Sequence, residues 1–266
     1  MGAVSNPLAF AIEIFRHREF SATTSFFRRV PILPAKARDK RDPIFVFHTN
    51  EFWLNLHHFL YVLGRASNKE RDTTREAVVG ASEDQERGLK QLSTKEQQIW
   101  REAVASYAAG ISKKDIVFDD PLPALTNALS RAGEAKSLSG SEIDPAISAI
   151  LARAAPIYRK AWWSKHRDAN RTWQKAIRAL VDSHGTNVLA FITNAYMLQW
   201  PAAGFPVYAA AYSNWAGAYL VTGDILVVSS LPQAIKGYMV WKLFFTRGCI
   251  NGTIRFSKSC GHRRLR

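Results

Sequence analysis

From Pro43 onward apolar residues recur at intervals that are mostly those of a helix. In TNEFWLNLHHFLYVLGRAS, Phe52, Leu56, Phe59, Leu60 and Leu63 share one face, with Asn50 or Asn55 as candidate N-caps and Gly64 near the end. Residues 67–92 are polar and charged, which predicts a loop or an exposed excursion. STKEQQIWREAVASYAAG then opens on a capping box, Ser93 to Glu96, and closes at Gly110. DDPLPALTNALSRAG and DPAISAILARAA predict two more helices, each entered through Asp before Pro.

The longest helical pattern follows, with Tyr158, Trp162, Trp173, Ile177 and Leu180 broadly on one side and Gly185 as its expected stop. A separate helix is expected over TNVLAFITNAYMLQW. No charged residue occurs between Asp182 and Asp224, but Pro201, Gly204 and Pro206 divide that region. Its leading apolar piece is shorter than the roughly 20 residues a membrane span needs, so a buried helix is expected and no transmembrane segment. FPVYAAAYS, GAYLVTG and DILVVSS read as short strands, the last two joined by a TGD hairpin. The order predicts an α+β fold, mostly helical, in which a helical N-terminal part precedes a small antiparallel sheet.

Composition changes this picture only at the ends. Of the formal net charge of +14, residues 1–42 carry +4 and residues 239–266 carry +7 with no acid, leaving +3 for residues 43–238. The ends are therefore read apart from the body: residues 1–42 as a basic leader, disordered or mis-started, and residues 232–266 as an out-of-frame or disordered basic tail. In the leader, Glu13, Arg16, Arg18 and Glu19 interrupt any signal-peptide core, so the compartment stays open. No aromatic-interleaved basic pattern supports a nucleic-acid partner. Both cysteines, Cys249 and Cys260, lie in the tail, so the body holds neither a disulfide nor a thiolate metal site. It also lacks G-x-S-x-G and a phosphate loop with lysine.

The tail has a second reading in the genetic code. Trp241 is encoded by TGG and Lys242 by AAA or AAG, so a frame starting at the third base of the Trp241 codon opens with glutamate. The codons spanning Phe245–Thr246 and Cys249–Ile250 can then encode only His or Tyr, and that spanning Thr246–Arg247 can encode Glu. The shifted frame accommodates E-I-I-F-H-E-G-M-H and then Q-W-D-D across residues 250–254. This contains H-E-x-x-H, in which two histidines on one helical face hold Zn²⁺ and the glutamate acts as general base on the bound water.

Residues 43–231 carry a resemblance that agrees with this motif. NLHHFLY, AWWSKHRDAN and NWAGAYLVTGDILVVSS resemble a family of largely uncharacterised bacterial proteins in which a helix of the form GLE-aliphatic-FHE-xx-H-QWD follows. The resemblance implies a gluzincin-like, zinc-dependent hydrolase, plausibly peptidase-like, acting on a peptide or small molecule, with a further acidic ligand downstream. It implies a zincin-like domain truncated before its metal-binding helix by a frame change near residues 231–238. No H-E-x-x-H stands in the translated residues, so no numbered residue takes a catalytic or metal-ligating role, no cofactor is expected in this chain, and it is expected to be inactive.

Candidate cleft or substrate-side residues remain. His57 and His58 are adjacent on the first helix and point to different faces, so at most one is expected at a site; the plainer reading has one packed and hydrogen-bonded and the other at the surface. His166 lies near Trp163, Arg167 and Asp168, where a substrate role competes with a plain helix-surface position. Trp163 suits a ligand platform or, more simply, the core. Asn214 and Trp215 precede the hairpin, either on an edge strand that pairs with an extended peptide or in a turn. The alternative function is a non-enzymatic helical binding module whose basic tail meets an anionic partner. Oligomeric state is left open.

Overall fold

The computed structural model describes residues 43–68, 76–196, 200–214, 217–221 and 225–231, all within one compact unit. The expected leader and tail, Trp215 and the TGD turn lie outside these residues. Strand β1 (Phe45–His48) precedes α1 (Phe52–Ser67), α2 (Glu76–Leu89), α3 (Thr94–Ala109), a 3-10 turn (Ile111–Lys113), α4 (Leu122–Ala132) and α5 (Pro145–Tyr158). A π-helical turn (Arg159–Trp163) leads into α6 (Ser164–Tyr196), followed by β2 (Phe205–Ala210), β3 (Ala218–Val221) and β4 (Ile225–Ser229). None of the described helices is long and apolar enough to cross a membrane.

Helix α1 is buried on every side from Phe52 to Gly64, as expected of a helix in the centre of a core. It packs against α2, α3, α4, α5 and β2. Glu51, not Asn50 or Asn55, occupies its N-cap position, and the helix runs past Gly64, which has no space for a side chain because Ser112 closes on it. The expected capping box is present: Ser93 Oγ accepts from Glu96 N at 3.4 Å, while Ser93 N donates to Glu96 Oε2 at 2.8 Å. Asp144 caps α5 as expected, whereas α4 starts after a cis Asp120–Pro121 bond without a side-chain cap.

Three sequence expectations are corrected. Residues 67–92 contain α2, which presents little more than Val78, Ala81 and Leu89 to the core and is anchored through buried Asp84. Gly185 does not stop a helix, because α6 runs through it; an added Cβ would lie 2.8 Å from Ile44 Cδ1, so this glycine serves close packing. The sheet is mixed, not antiparallel, in the order β1-β2-β4-β3, with β1–β2 and β2–β4 parallel and only the β3–β4 hairpin antiparallel. The first parallel pair is closed by a crossover containing all six helices of the described residues. Apolar side chains cover both faces of this sheet: Val207, Leu226 and Val228 join Ile177, Leu189 and Ile192 of α6, whereas Tyr219 and Val227 join the α1 core.

Candidate functional site at the carboxyl ends of the strands

The parallel register brings His48, Ala210 and Ser229, which end β1, β2 and β4, to the same edge of the sheet. Two buried asparagines hold the backbone there. Asn55, in the first turn of α1, donates to the carbonyls of Glu51 (2.9 Å) and Ala209 (3.2 Å), and its Oδ1 accepts from Ala211 N (2.8 Å). Asn170 of α6 donates to Thr49 O and to Asn55 Oδ1, both at 3.2 Å, and accepts from Ser230 Oγ at 2.6 Å. Ser213 N donates to Ser229 Oγ at 2.8 Å, and the two hydroxyls lie 2.7 Å apart.

An amide suits each asparagine position because it offers two donors beside two acceptor lone pairs, and both sets are needed. Around this core the cluster becomes accessible. His48 Nδ1 lies 3.2 Å from Glu51 Oε1, and its ring stacks on Tyr208 at 4.3 Å and 8°. The Tyr208 hydroxyl is pushed up by burial and by the Glu51 carboxylate. Arg171 donates to Asn50 Oδ1 at 3.2 Å on the same side.

His57 and His58 are both fully buried, against the expectation of one surface ring. Helix α1 is enclosed on all sides, so neither face is exposed. His58 Nδ1 donates to Leu54 O (2.7 Å) and its Nε2 accepts from the Tyr219 hydroxyl (2.5 Å), which in turn accepts from Thr126 at 3.2 Å. Burial lowers the His58 pKa to about 4, although the Leu54 hydrogen bond works in the opposite direction. His57 Nδ1 meets the Tyr107 hydroxyl at 3.1 Å, and burial followed by the neighbouring His58 lowers its pKa well below the ordinary value.

His166 is likewise buried rather than at the helix surface. Its Nε2 donates to Asp84 Oδ2 at 2.8 Å and its Nδ1 accepts from the Tyr158 hydroxyl at 2.8 Å. Lys165 donates to Asp84 Oδ1, Arg87 approaches the same oxygen at 3.4 Å, and Tyr212 lies 3.4 Å from Oδ2. Burial pushes the Asp84 carboxyl up, but the His166 and Lys165 hydrogen bonds outweigh it and hold the group well below the usual carboxylate range. His166 is lowered by burial, with Asp84 opposing. This network joins α2 to α6, with Asp84 and His166 buried and Lys165 and Arg87 reaching the surface.

Trp163 belongs to the core, edge-on to Phe52 at 5.3 Å. Asn214 sits buried in the connection between β2 and β3, outside either strand, with its carbonyl accepting from Gly217 N at 3.3 Å. The sequence candidates thus fall into separate settings: His58 behind β3, His57 against α3, His166 on Asp84, and Asn214 at the carboxyl-end edge. Asn55, Asn170, His48 and Glu51 were missed. The spacing of His166, Asn170, Trp173 and Ile177 at i, i+4, i+7 and i+11 is the signal that places Asn170 inside. No family model matches the chain, and comparison with curated proteins and with solved structures finds no match.

Proposed function

We propose that the described residues are the scaffold of a zincin-like, peptidase-type metallohydrolase, and that the chain as translated is inactive because H-E-x-x-H is missing from it. The observation that carries this reading is the place where β4 ends. Ser229 and Ser230 lie within the polar cluster at the carboxyl ends of three parallel strands, the position at which open sheets with parallel strands take their ligands. A helix leaving β4 there would deliver its side chains beside that cluster. Strand β3 is an edge strand, paired on one side to β4 and, among the described residues, to nothing on the other. Ala218, Tyr219 and Val221 of β3 are buried, so strand addition of an extended peptide there requires that edge to be uncovered first.

The described residues do not fit a zinc ion by themselves. Among them no three of His, Cys, Asp and Glu are grouped to hold one, and both ring nitrogens of His58 and His166 are already engaged. No metal step is therefore assigned to this chain. Its own residues fix the strand ends through Asn55 and Asn170.

The test is metal analysis and peptide cleavage on two purified proteins, the chain as translated and a version restored to the alternative frame after Leu231. The reading expects no bound zinc and no cleavage from the first, and one zinc per chain with cleavage from the second. Stoichiometric zinc and peptide cleavage by the chain as translated would contradict it.

A further inference from the structure

Among the described residues Phe118 is 83% exposed, far more than the other large apolar residues that reach the surface, Phe191 at 61% and Val79 at 44%. It does not sit on a slack loop. Asp115 Oδ1 accepts from Val117 N at 2.8 Å and Phe118 N at 3.3 Å, Asp119 Oδ2 accepts from Asp115 N at 2.7 Å, and Ile116 is buried beneath. Lys114 Nζ donates to Asp120 O at 2.8 Å and closes the turn. A preordered turn thus holds out an aromatic ring with Asp115, Asp119 and Asp120 within three residues of it, against Lys113 and Lys114 at its start.

A surface of opposite character lies elsewhere on the molecule. A groove of about 510 Å³ between the start of α1 and the end of α5 is floored by Trp53, Ala155 and Pro156 and rimmed by Lys136, Arg159 and Lys160. Lys160 is paired with Glu96 at 2.7 Å, while Arg159 lies over the Phe52 ring at 4.1 Å. With Lys160 engaged by Glu96, the groove suits an apolar group with a carboxylate beside it for Lys136 or Arg159.

One chain cannot close this contact on itself. The Phe118 turn is tied to the end of α1, where Tyr61 donates to Lys114 O and Ser112 donates to Tyr61 O, both at 2.9 Å. The groove stands at the opposite end, at Trp53. Helix α4, which links the two regions, spans 11 residues, or roughly 16 Å at 1.5 Å per residue.

We infer that the Phe118 turn of one copy docks into the Trp53–Arg159 groove of a second copy, giving a head-to-tail self-association. The contact is heterologous, so each molecule offers both halves and the assembly grows with concentration unless it closes into a ring. It is small and partly ionic, and therefore weak and weakened by salt. This inference is independent of the proposed hydrolase reading and survives its failure.

The test is sedimentation velocity on the full chain from micromolar to submillimolar concentration, at low and high salt, with circular dichroism to establish folding. The wild type is expected to shift to larger species with concentration, and less so at high salt. Phe118→Ser and the double variant Lys136→Glu/Arg159→Glu are each expected to stay monomeric. Mixed together they should form a 1:1 dimer and nothing larger, because Phe118→Ser retains its groove and the double variant retains its turn. A wild type that stays monomeric throughout, single variants that associate like the wild type, or a mixture that gives no dimer would each overturn the inference. Association of Phe118→Ser alone would overturn it too, and would assign the contact to the terminal segments instead.

Discussion

Asp84 is a carboxylate with a side chain only 2% exposed, and it is ionised because Lys165 and His166 share it. Removing it leaves the buried Nε2–H of His166 without an acceptor, while Lys165, 48% exposed, turns to water. Asp84→Ala should therefore destabilise the fold by about 1–3 kcal/mol, read as a lower urea midpoint, with Asp84→Asn losing less because it still accepts from His166. An unchanged midpoint for Asp84→Ala would show that the network does not hold α2. The buried histidines set the response to acid. His58 titrates near 4 in the folded chain against about 6.5 when unfolded, so the unfolded state binds more protons between these values. The stabilisation is complete above about pH 6.5 and is lost as pH falls toward 4, by on the order of 3 kcal/mol. His57 and His166 are lowered too and act in the same direction. Asp84, held low, adds a further loss only below the ordinary carboxylate range. Urea midpoints measured across this range should fall with pH for the wild type and more shallowly for His58→Asn; parallel profiles would contradict the assignment.

Among the elements, legibility followed the source of each one's stability. Helix α3 was readable because Ser93 and Glu96 cap it locally and Trp100, Val104 and Tyr107 recur on its buried face. The strands β2, β3 and β4 were readable from their apolar runs, whereas β1 was missed because four residues, FVFH, carry little pattern without the partner β2 supplies. Helix α2 was illegible because its key inward groups are an aspartate and a glycine. An added Cβ at Gly88 would collide with the Trp162 ring, which is itself fixed by donating to Asp84 O at 2.9 Å. Gly88→Ala should thus cost about 1–3 kcal/mol despite the better helix propensity of alanine, seen as a lower thermal midpoint. A rise in that midpoint would mean that Trp162 moves freely. The candidate site was only partly legible for a related reason: Asn55 and Asn170 are buried polar residues whose partners are backbone groups of other elements, and sequence spacing does not display them.

The described residues form a helical body around a helix buried from Phe52 to Gly64, with a small mixed sheet whose carboxyl-end edge holds the Asn55–Asn170 cluster. The expected α+β class and helical majority stand, and the antiparallel sheet does not. The hydrolase reading depends on the gene beyond the Leu231 codon, which makes the coding DNA the most direct test. It should be read in all frames from the codon of Asp224 to several hundred bases past that of Arg266. The account predicts that a one-base correction between the codons of Leu231 and Tyr238 opens a frame encoding H-E-x-x-H-Q-W-D with a further glutamate downstream. A confirmed sequence whose alternative frame is closed by stop codons would contradict it and leave the basic tail, with seven Lys or Arg and no acid over residues 239–266, as a genuine part of the protein.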